Sequence, residues 1–353
     1  MSKGANNLSK GALSYRILVI ITLLIILAFL IPLSTSIGLY NVSFLDVFKV
    51  LFKYSLPESE AVALWLRLRR SLVAVVTGIL LAGGGAVMQA ALRNPLASPF
   101  TLGISHAAAL GVAVSLLIGQ TGYASMWFTG FARPYVVPLF AFLFALAQAT
   151  LILLLAQRAR LEPRAIVLSA IAMAFTYQAI LALLQYLVLN ELQIATIVFW
   201  MFGDLSRPGN VELQVLLLLT PILIVLYMIL HADLDLILIG DDIAFSSGIS
   251  PSRLRLIATI ISAFGAALAT SFIGVLAFLC LVAPHIARLL VGASHRYLIP
   301  ASMLLGPILL IVADIVSRTI LSPITLPVGI VLSFIGAPLL IALLLRGNSH
   351  GYH

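Results

Sequence analysis

Two aspartates in the most polar interior stretch of the chain are the first residues whose type and spacing suggest a site. Asp241 and Asp242 follow Gly240, where carboxylates would stabilise the first turn of a helix. Gly248 is suited to end such a helix, and Pro251 prevents it from continuing. The pattern predicts a short, rigid helix. That helix is either a knob that another protein grips or part of an ordinary solvated loop, and the pattern alone leaves both open.

Arginines form a second group of candidate binding residues. Arg67 and Arg70 stand directly before an uncharged apolar run, residues 71–92. Their guanidinium groups could bind carboxylates of a partner or anchor the chain among lipid headgroups. Arg318 follows Asp314 by one helical turn, so the two side chains could pair on one face of a helix. For Arg318, a purely structural pair and a binding role remain equally open.

A third group consists of polar side chains inside an otherwise apolar helical run, residues 165–190. These are Tyr177, Gln178 and Gln185. Polar groups at membrane depth usually face a cavity or form a hydrogen bond to another helix. The spacing does not distinguish these two interpretations.

The remaining residues with reactive side chains are scattered. No HExxH, GxSxG or paired-cysteine spacing occurs, and no Gly-Lys dipeptide that a phosphate-binding P-loop would need. We expect His106 and His285 to be packed or hydrogen-bonded, His350 and His353 to be solvated, and no metal site to be present. We therefore predict no enzyme activity and no cofactor in this chain.

The composition shows which elements must position these residues. The chain has 353 residues, of which 62% are hydrophobic and 9% are charged, whereas a soluble domain carries roughly 25% charge. This predicts one polytopic, all-α membrane domain over residues 1–353. The net charge of +8 lies in short loops between apolar runs, which is typical of membrane orientation rather than of nucleic-acid binding.

Charge-free runs of sufficient length predict about ten transmembrane helices. The predicted spans are residues 17–37, 71–92, 96–119, 135–157, 165–190, 213–230, two within 256–287 that are separated near 271–274, 297–320 and 326–345. We predict an external interfacial segment at 41–60, a short re-entrant or interfacial helix at 194–202, and a cytoplasmic loop at 231–255.

Ten spans place both termini on one side, and a weak excess of Lys and Arg in the inner segments places them in the cytoplasm. The tripeptide that begins at Arg67 recurs at Arg253, outside in one case and inside in the other. This faint echo is compatible with a pseudo-repeat of two inverted halves.

Six blocks in order resemble the FecCD family, the membrane permeases of ABC importers for iron-siderophores, haem and vitamin B12. They are residues 67–103, 199–204, 240–250, 278–296, 313–318 and 326–338. The chain departs from the family pattern in four places. Arg69 replaces a proline, His106 stands in a pair that is usually small, Cys280 replaces a glycine, and Thr325 replaces an acidic residue.

The resemblance implies a role for each group. The knob would dock into an ABC ATPase that carries the ATP and Mg²⁺. The residues of the knob that match the family pattern are Gly240, Asp241, Asp242, Ala244 and Gly248. The arginines Arg67, Arg70 and Arg318 would meet acidic residues of an extracytoplasmic substrate-binding protein. The run 165–190 would lie beside a translocation path between two permease copies, with a homodimer favoured over a heterodimer.

The resemblance implies ATP-driven uptake of a ferric siderophore or related metal chelate across the cytoplasmic membrane, with a haem or cobalamin importer as the alternative. From another class, an ion-coupled secondary transporter would need acidic residues in mid-span. The chain has almost none there, since Asp314 lies near the end of a run.

Overall fold

A computed structural model describes residues 2–38, 44, 47, 58–120 and 133–347. Most of the predicted interfacial segment 41–60, together with His350 and His353, lies outside the described residues. The described part is all-helical, with thirteen helices. They are α1 Ser2–Ser36, α2 Glu58–Ala91, α3 Ile104–Gln120, α4 Arg133–Gln157, α5 Pro163–Leu187, α6 Glu191–Met201, α7 Asn210–Ile229, α8 His231–Ile239, α9 Asp241–Ser246, α10 Pro251–Ile273, α11 Leu279–Val291, α12 His295–Thr319 and α13 Val328–Gly347.

The apolar helices confirm a multi-pass membrane protein. Seven described helices are long and apolar enough to cross a membrane: α1, α2, α4, α5, α7, α10 and α12. Three further predicted spans coincide with the shorter apolar helices α3, α11 and α13. The interfacial or re-entrant segment predicted at 194–202 is the short helix α6.

Helix starts follow local chemistry. Asn190 and Gln193 form a capping box at the start of α6, in which each side chain accepts a hydrogen bond from the other residue's backbone N–H. The Ser250 side chain caps α10, and Pro251 occupies its first turn.

Two predicted boundaries are wrong. Helix α2 begins at Glu58 rather than at residue 71, so Arg67 and Arg70 lie inside a helix and not at its mouth. The third span begins at Ile104, because residues 94–103 form turns. The segment 231–255, predicted as a loop with one short helix, contains α8, α9 and the start of α10.

The predicted interruption of the long apolar run 256–287 is confirmed. Helix α10 ends at Ile273, Gly274 adopts a left-handed φ of 95°, and α11 begins at Leu279. Such a φ favours glycine. Arg207 donates a hydrogen bond to the freed Ile273 carbonyl over 2.8 Å, so a side chain satisfies this helix end.

Helix α2 is the centre of the packing. Its glycines allow close approach, as predicted: Gly83 lies against the Tyr227 ring and Met303, and Gly85 lies against the Cys280 backbone. Five residues before Gly83 in α2, Gly78 meets the backbone of Gly306 and Pro307 in α12. These contacts hold α7, α11 and α12 around α2.

Candidate functional site

The predicted knob is present as α9, a helix of 6 residues. Asp241 and Asp242 occupy its first turn, and Ala244 is fully buried beneath it. Gly248, directly after the helix end, has a left-handed φ of 85°. The predicted local structure of this segment is therefore confirmed, while its docking role remains a prediction.

Asp241 fastens the knob to the rest of the chain. Its two carboxylate oxygens accept hydrogen bonds from Arg255 Nη2 at 2.7 and 2.8 Å, and Oδ1 also accepts one from Arg93 Nη2. Arg255 is only 3% exposed, and Arg93 Nε donates to the Ile237 carbonyl over 2.6 Å. Asp241 thus joins α9 to the start of α10, the end of α2 and, through Arg93, to α8.

The outer face of the knob has a different character. Asp242 is exposed, as are two large apolar side chains, Ile243 at 47% and Phe245 at 74%. Ile239, at the end of α8, adds a further exposed apolar side chain. An apolar surface bearing one free carboxylate is suited to contact another protein.

A second contact joins the same region to α12. His295, in the first turn of α12, lies with Nδ1 2.6 Å from Asp235 Oδ1. Its backbone N–H donates to the same oxygen over 2.9 Å. Asp235 belongs to α8, so this carboxylate connects α8 to the beginning of α12.

The predicted arginines cluster about 30 Å away along α2. Asp314 Oδ1 accepts a hydrogen bond from Arg70 Nε, and Asp314 Oδ2 accepts one from Arg318 Nε over 2.9 Å. Asp314 is 2% exposed, and the two arginines 11% and 12%. The pair predicted between Asp314 and Arg318 is confirmed, and Arg70 extends it to three members.

The end of α1 supplies further partners to these arginines. Arg318 Nη1 donates to the Ile37 carbonyl over 2.6 Å, and Nη2 donates to the Ser34 hydroxyl over 2.9 Å. Arg67 Nη1 donates to the Ser36 carbonyl over 3.2 Å. Arg67, Arg69, Arg70 and Arg318 all line an adjoining cavity of about 310 Å³.

The three polar residues of α5 separate. Gln178 is exposed and lines a cavity of about 580 Å³, together with His106 from the first turn of α3. Tyr177 is 8% exposed and packs in the main core. Gln185 is half-buried and lines neither this cavity nor the one beside the arginines.

Several linking residues escaped the sequence analysis. Arg93 and Arg255 could have been noticed in the sequence because each is a charged residue at the edge of an apolar run, and Arg255 also ends the repeated tripeptide. Asp235, His295 and Arg207 carried no signal, because their partners are distant in sequence. Burial lowers the pKa of the Arg207 guanidinium and outweighs the opposite effect of Asp204. In the described part of the chain, no three His, Cys, Asp or Glu side chains are grouped to hold a metal ion.

Known proteins match this chain over most of its length. The model of the FecCD transport family matches residues 24–346. An Fe(3+)-citrate import system permease of Bacillus subtilis is 30% identical and is aligned over 97% of this chain and 98% of its own. A hemin transport system permease of Yersinia pestis is 32% identical, over 92% and 94%.

A solved structure shares the fold. It is described as a metal-chelate type ABC transporter in an inward-facing conformation. It superposes with a TM-score of 0.80 at 25% identity, and the match covers 93% of this chain and 98% of that chain.

Proposed function

The chain belongs to the FecCD transport family, and from this premise we propose that it is the membrane permease of an ABC importer that carries a ferric siderophore or a related metal chelate. The importer moves its cargo across the cytoplasmic membrane, and both termini of the permease lie in the cytoplasm. Relatives in this family are named for ferric citrate and for hemin. Haem is therefore the alternative cargo, together with cobalamin within the same family.

The observation that carries this proposal is that one side of α9 is fastened to the permease and the other side is exposed. Asp241 fastens the helix through ion pairs to Arg93 and to the buried Arg255, while Ile243 and Phe245 stay exposed. A rigid helix with an apolar outer face can transmit force from a partner. Since the sequence has no Gly-Lys dipeptide, ATP and Mg²⁺ bind to a separate ATPase chain that grips this knob.

The arginine cluster supports docking of an extracytoplasmic binding protein. Four guanidinium groups line one cavity. Two carboxylates pair with them: Asp314 is only 2% exposed, and Asp204, 3.6 Å from Arg70, is 38% exposed, so positive charge remains in excess. The surface there is positive and attracts acidic side chains of a partner. Arg67, Arg70 and Arg318 also form hydrogen bonds within the permease. They therefore act on the partner mainly through this positive potential rather than by direct pairing.

The exposed face of α5 supports a path shared with a second permease copy. Leu168, Phe175 and Tyr186 are between 67% and 88% exposed, and Gln178 lies on the same helix. Apolar residues of this size need lipid or another helix against them. We infer a homodimer, with the path beside α5 of each copy and lipid around the remaining helices.

The main alternative class, an ion-coupled secondary transporter, lacks support in the site. Such a carrier needs an acidic residue that can bind and release an ion at membrane depth. Asp314, near the end of α12, is held by Arg70 and Arg318.

The decisive experiment reconstitutes the permease with and without a co-expressed ATPase and binding protein. We expect uptake of chelated ⁵⁵Fe only with the complete system and ATP. The double substitution Asp242→Arg with Phe245→Glu removes ATPase co-purification and uptake but leaves thermal unfolding of the permease unchanged. Asp241→Asn is the contrasting variant on the same helix. It leaves Arg255 buried without its counter-charge, so we expect it to lower the unfolding temperature. Accumulation of iron by the permease alone would contradict the proposal.

A further inference from the structure

A cavity between α3 and α5 combines an apolar wall with a few neutral polar side chains. It measures about 580 Å³, within the size range of small-molecule sites. Its wall consists of apolar residues with four neutral polar ones, Asn94, Thr101, His106 and Gln178, and contains no Asp, Glu, Lys or Arg.

Two of these polar residues are occupied by local structure. Asn94 Oδ1 accepts a hydrogen bond from the Leu96 backbone N–H over 2.9 Å. The Thr101 hydroxyl donates to the Ser98 carbonyl over 2.8 Å. These bonds shape the turn between α2 and α3. His106 and Gln178, which lie on the two helices, are the polar side chains of the wall that this turn does not use.

His106 is poorly explained as a packing residue. Its Nδ1 is buried without a hydrogen-bond partner among the described residues, and such a loss costs stability that an apolar side chain would avoid. The ring is held at the wall by its own helix start, since the His106 backbone N–H donates to the Gly103 carbonyl over 3.1 Å. Across the cavity, Gln178 is exposed on α5.

The closeness of α3 to α5 depends on Gly103. This residue has a left-handed φ of 77°, and a Cβ there would lie 2.9 Å from the Ala174 Cβ. A glycine at this position therefore brings the His106 turn against the α5 face that bears Gln178. His106 and Gln178 therefore line the same cavity, one from α3 and the other from α5.

The absence of charge limits what the cavity can hold. The nearest guanidinium in sequence, Arg93, is engaged with Asp241 and the Ile237 carbonyl. A polyanion in this cavity would lose its hydration without gaining a cation, which is costly. A solute with no net charge would lose little and could gain hydrogen bonds from an imidazole and an amide.

Building on the proposed function, we infer that this cavity is a cargo-contact site in which His106 and Gln178 bind a metal chelate of zero net charge. A ferric trihydroxamate is such a chelate, because three singly negative hydroxamates neutralise Fe³⁺. The cavity discriminates against polyanionic ferric citrate, and His106 is the residue that sets this preference.

Cysteine labelling tests the site without the binding protein, so that the cargo preference measured belongs to the permease. The chain has one cysteine, Cys280, which is fully buried, so an introduced thiol is labelled selectively. Ile171→Cys places a thiol in the same cavity and keeps His106 and Gln178; the purified permease–ATPase complex with this substitution is treated with a small neutral methanethiosulfonate. We expect ferric trihydroxamate to slow labelling about tenfold and ferric citrate to leave it unchanged. Ala159→Cys, exposed in the turn between α4 and α5 and outside this cavity and the arginine cavity, is the control and is labelled equally throughout.

Uptake kinetics provide the second readout. Gln178→Ala and His106→Phe are expected to raise KM for the trihydroxamate about tenfold, the effect of losing one good hydrogen bond. Thr176→Val is the matched control on α5, because its hydroxyl bonds only to the Ala172 carbonyl of its own helix; its KM stays at the wild-type value.

Each result has one meaning. Equal protection by both chelates, or protection by citrate alone, overturns the charge preference. No protection by either, with trihydroxamate uptake intact, overturns the cargo site but leaves the importer assignment standing. Protection without any ATP-driven uptake supports the site and refutes the proposed function instead.

Discussion

Two adjacent arginines, Arg69 and Arg70, illustrate how differently neighbouring residues are used on one helix. Arg70 is 11% exposed and bound to Asp314. Arg69 is half-buried and makes one long contact, 3.4 Å, to Asn210 Oδ1. Both line the cavity of about 310 Å³ beside Arg318. At the residue scale, Arg70 therefore holds the fold together, whereas Arg69 is available to a partner.

Charge reversal at these two positions should separate stability from capture. Arg70→Glu places a second carboxylate beside Asp314 and is expected to cost about 3–5 kcal/mol of unfolding free energy, since it breaks a buried pair. Arg69→Glu is expected to change stability by less than about 0.5 kcal/mol. It weakens capture of the loaded binding protein, and more strongly at low salt.

Thermal unfolding in detergent and binding to the immobilised permease measure the two effects. Equal destabilisation by both substitutions would contradict the separate roles. Unchanged capture by the Arg69 variant would show that Arg69 does not contact the binding protein.

At the scale of elements, the contact between α2 and α12 is made by backbone. Gly78 lies against Gly306 and Pro307, and a Cβ on Gly78 would overlap with the Pro307 backbone nitrogen. Small residues allow such approach between membrane helices. The outer arginine cluster depends on it, because Arg70 and Asp314 come from these two helices.

Alanine at two glycines tests this contact. Gly78→Ala is expected to cost about 1–3 kcal/mol through overpacking, and to loosen the Arg70 pair with Asp314. Gly119→Ala is the control, since nothing lies within 4 Å of a Cβ there and alanine favours a helix. The free energy of unfolding in a denaturant series measures both. A Gly78 variant as stable as the Gly119 variant would show that the helices are not in backbone contact.

Local features of these elements were predictable, whereas their partners were not. The α9 helix and the interruption after Ile273 follow from acids, glycines and a proline within a few residues of each other. The start of α2 was misjudged because Arg67 and Arg70 look like the end of an apolar run. The charge of Arg70 is tolerated inside the helix because Asp314, 244 residues away, neutralises it, and no local pattern shows such a partner.

At the scale of the whole molecule, α12 connects the two candidate docking regions. At its start, Asp235 of α8 holds His295, and near its end Asp314 holds Arg70 and Arg318. A displacement of the α8 and α9 region by an ATPase would therefore reach the outer arginines through one helix. The link is made of two discrete polar contacts, each of which can be removed.

Weakening the inner contact should reduce coupling without abolishing assembly. Asp235→Asn keeps an acceptor for the His295 backbone N–H but loses the charge, and we expect the number of chelates moved per ATP hydrolysed to fall a few-fold. Asp233→Asn, two residues earlier on α8, is the matched control and keeps the wild-type ratio. ATPase activity and ⁵⁵Fe uptake in the same proteoliposomes give this ratio. An unchanged ratio in the Asp235 variant would exclude α12 as the connection.

The meeting of Gly78 with Gly306 also restricts how a transport cycle can proceed. Flexible side chains between two helices can change rotamer and let the helices slide, but here main chain touches main chain. We therefore expect α2 and α12 to travel as one rigid body. Rearrangements between outward- and inward-open states must then occur at other joints, of which the left-handed glycines Gly248, Gly274 and Gly292 are the natural pivots.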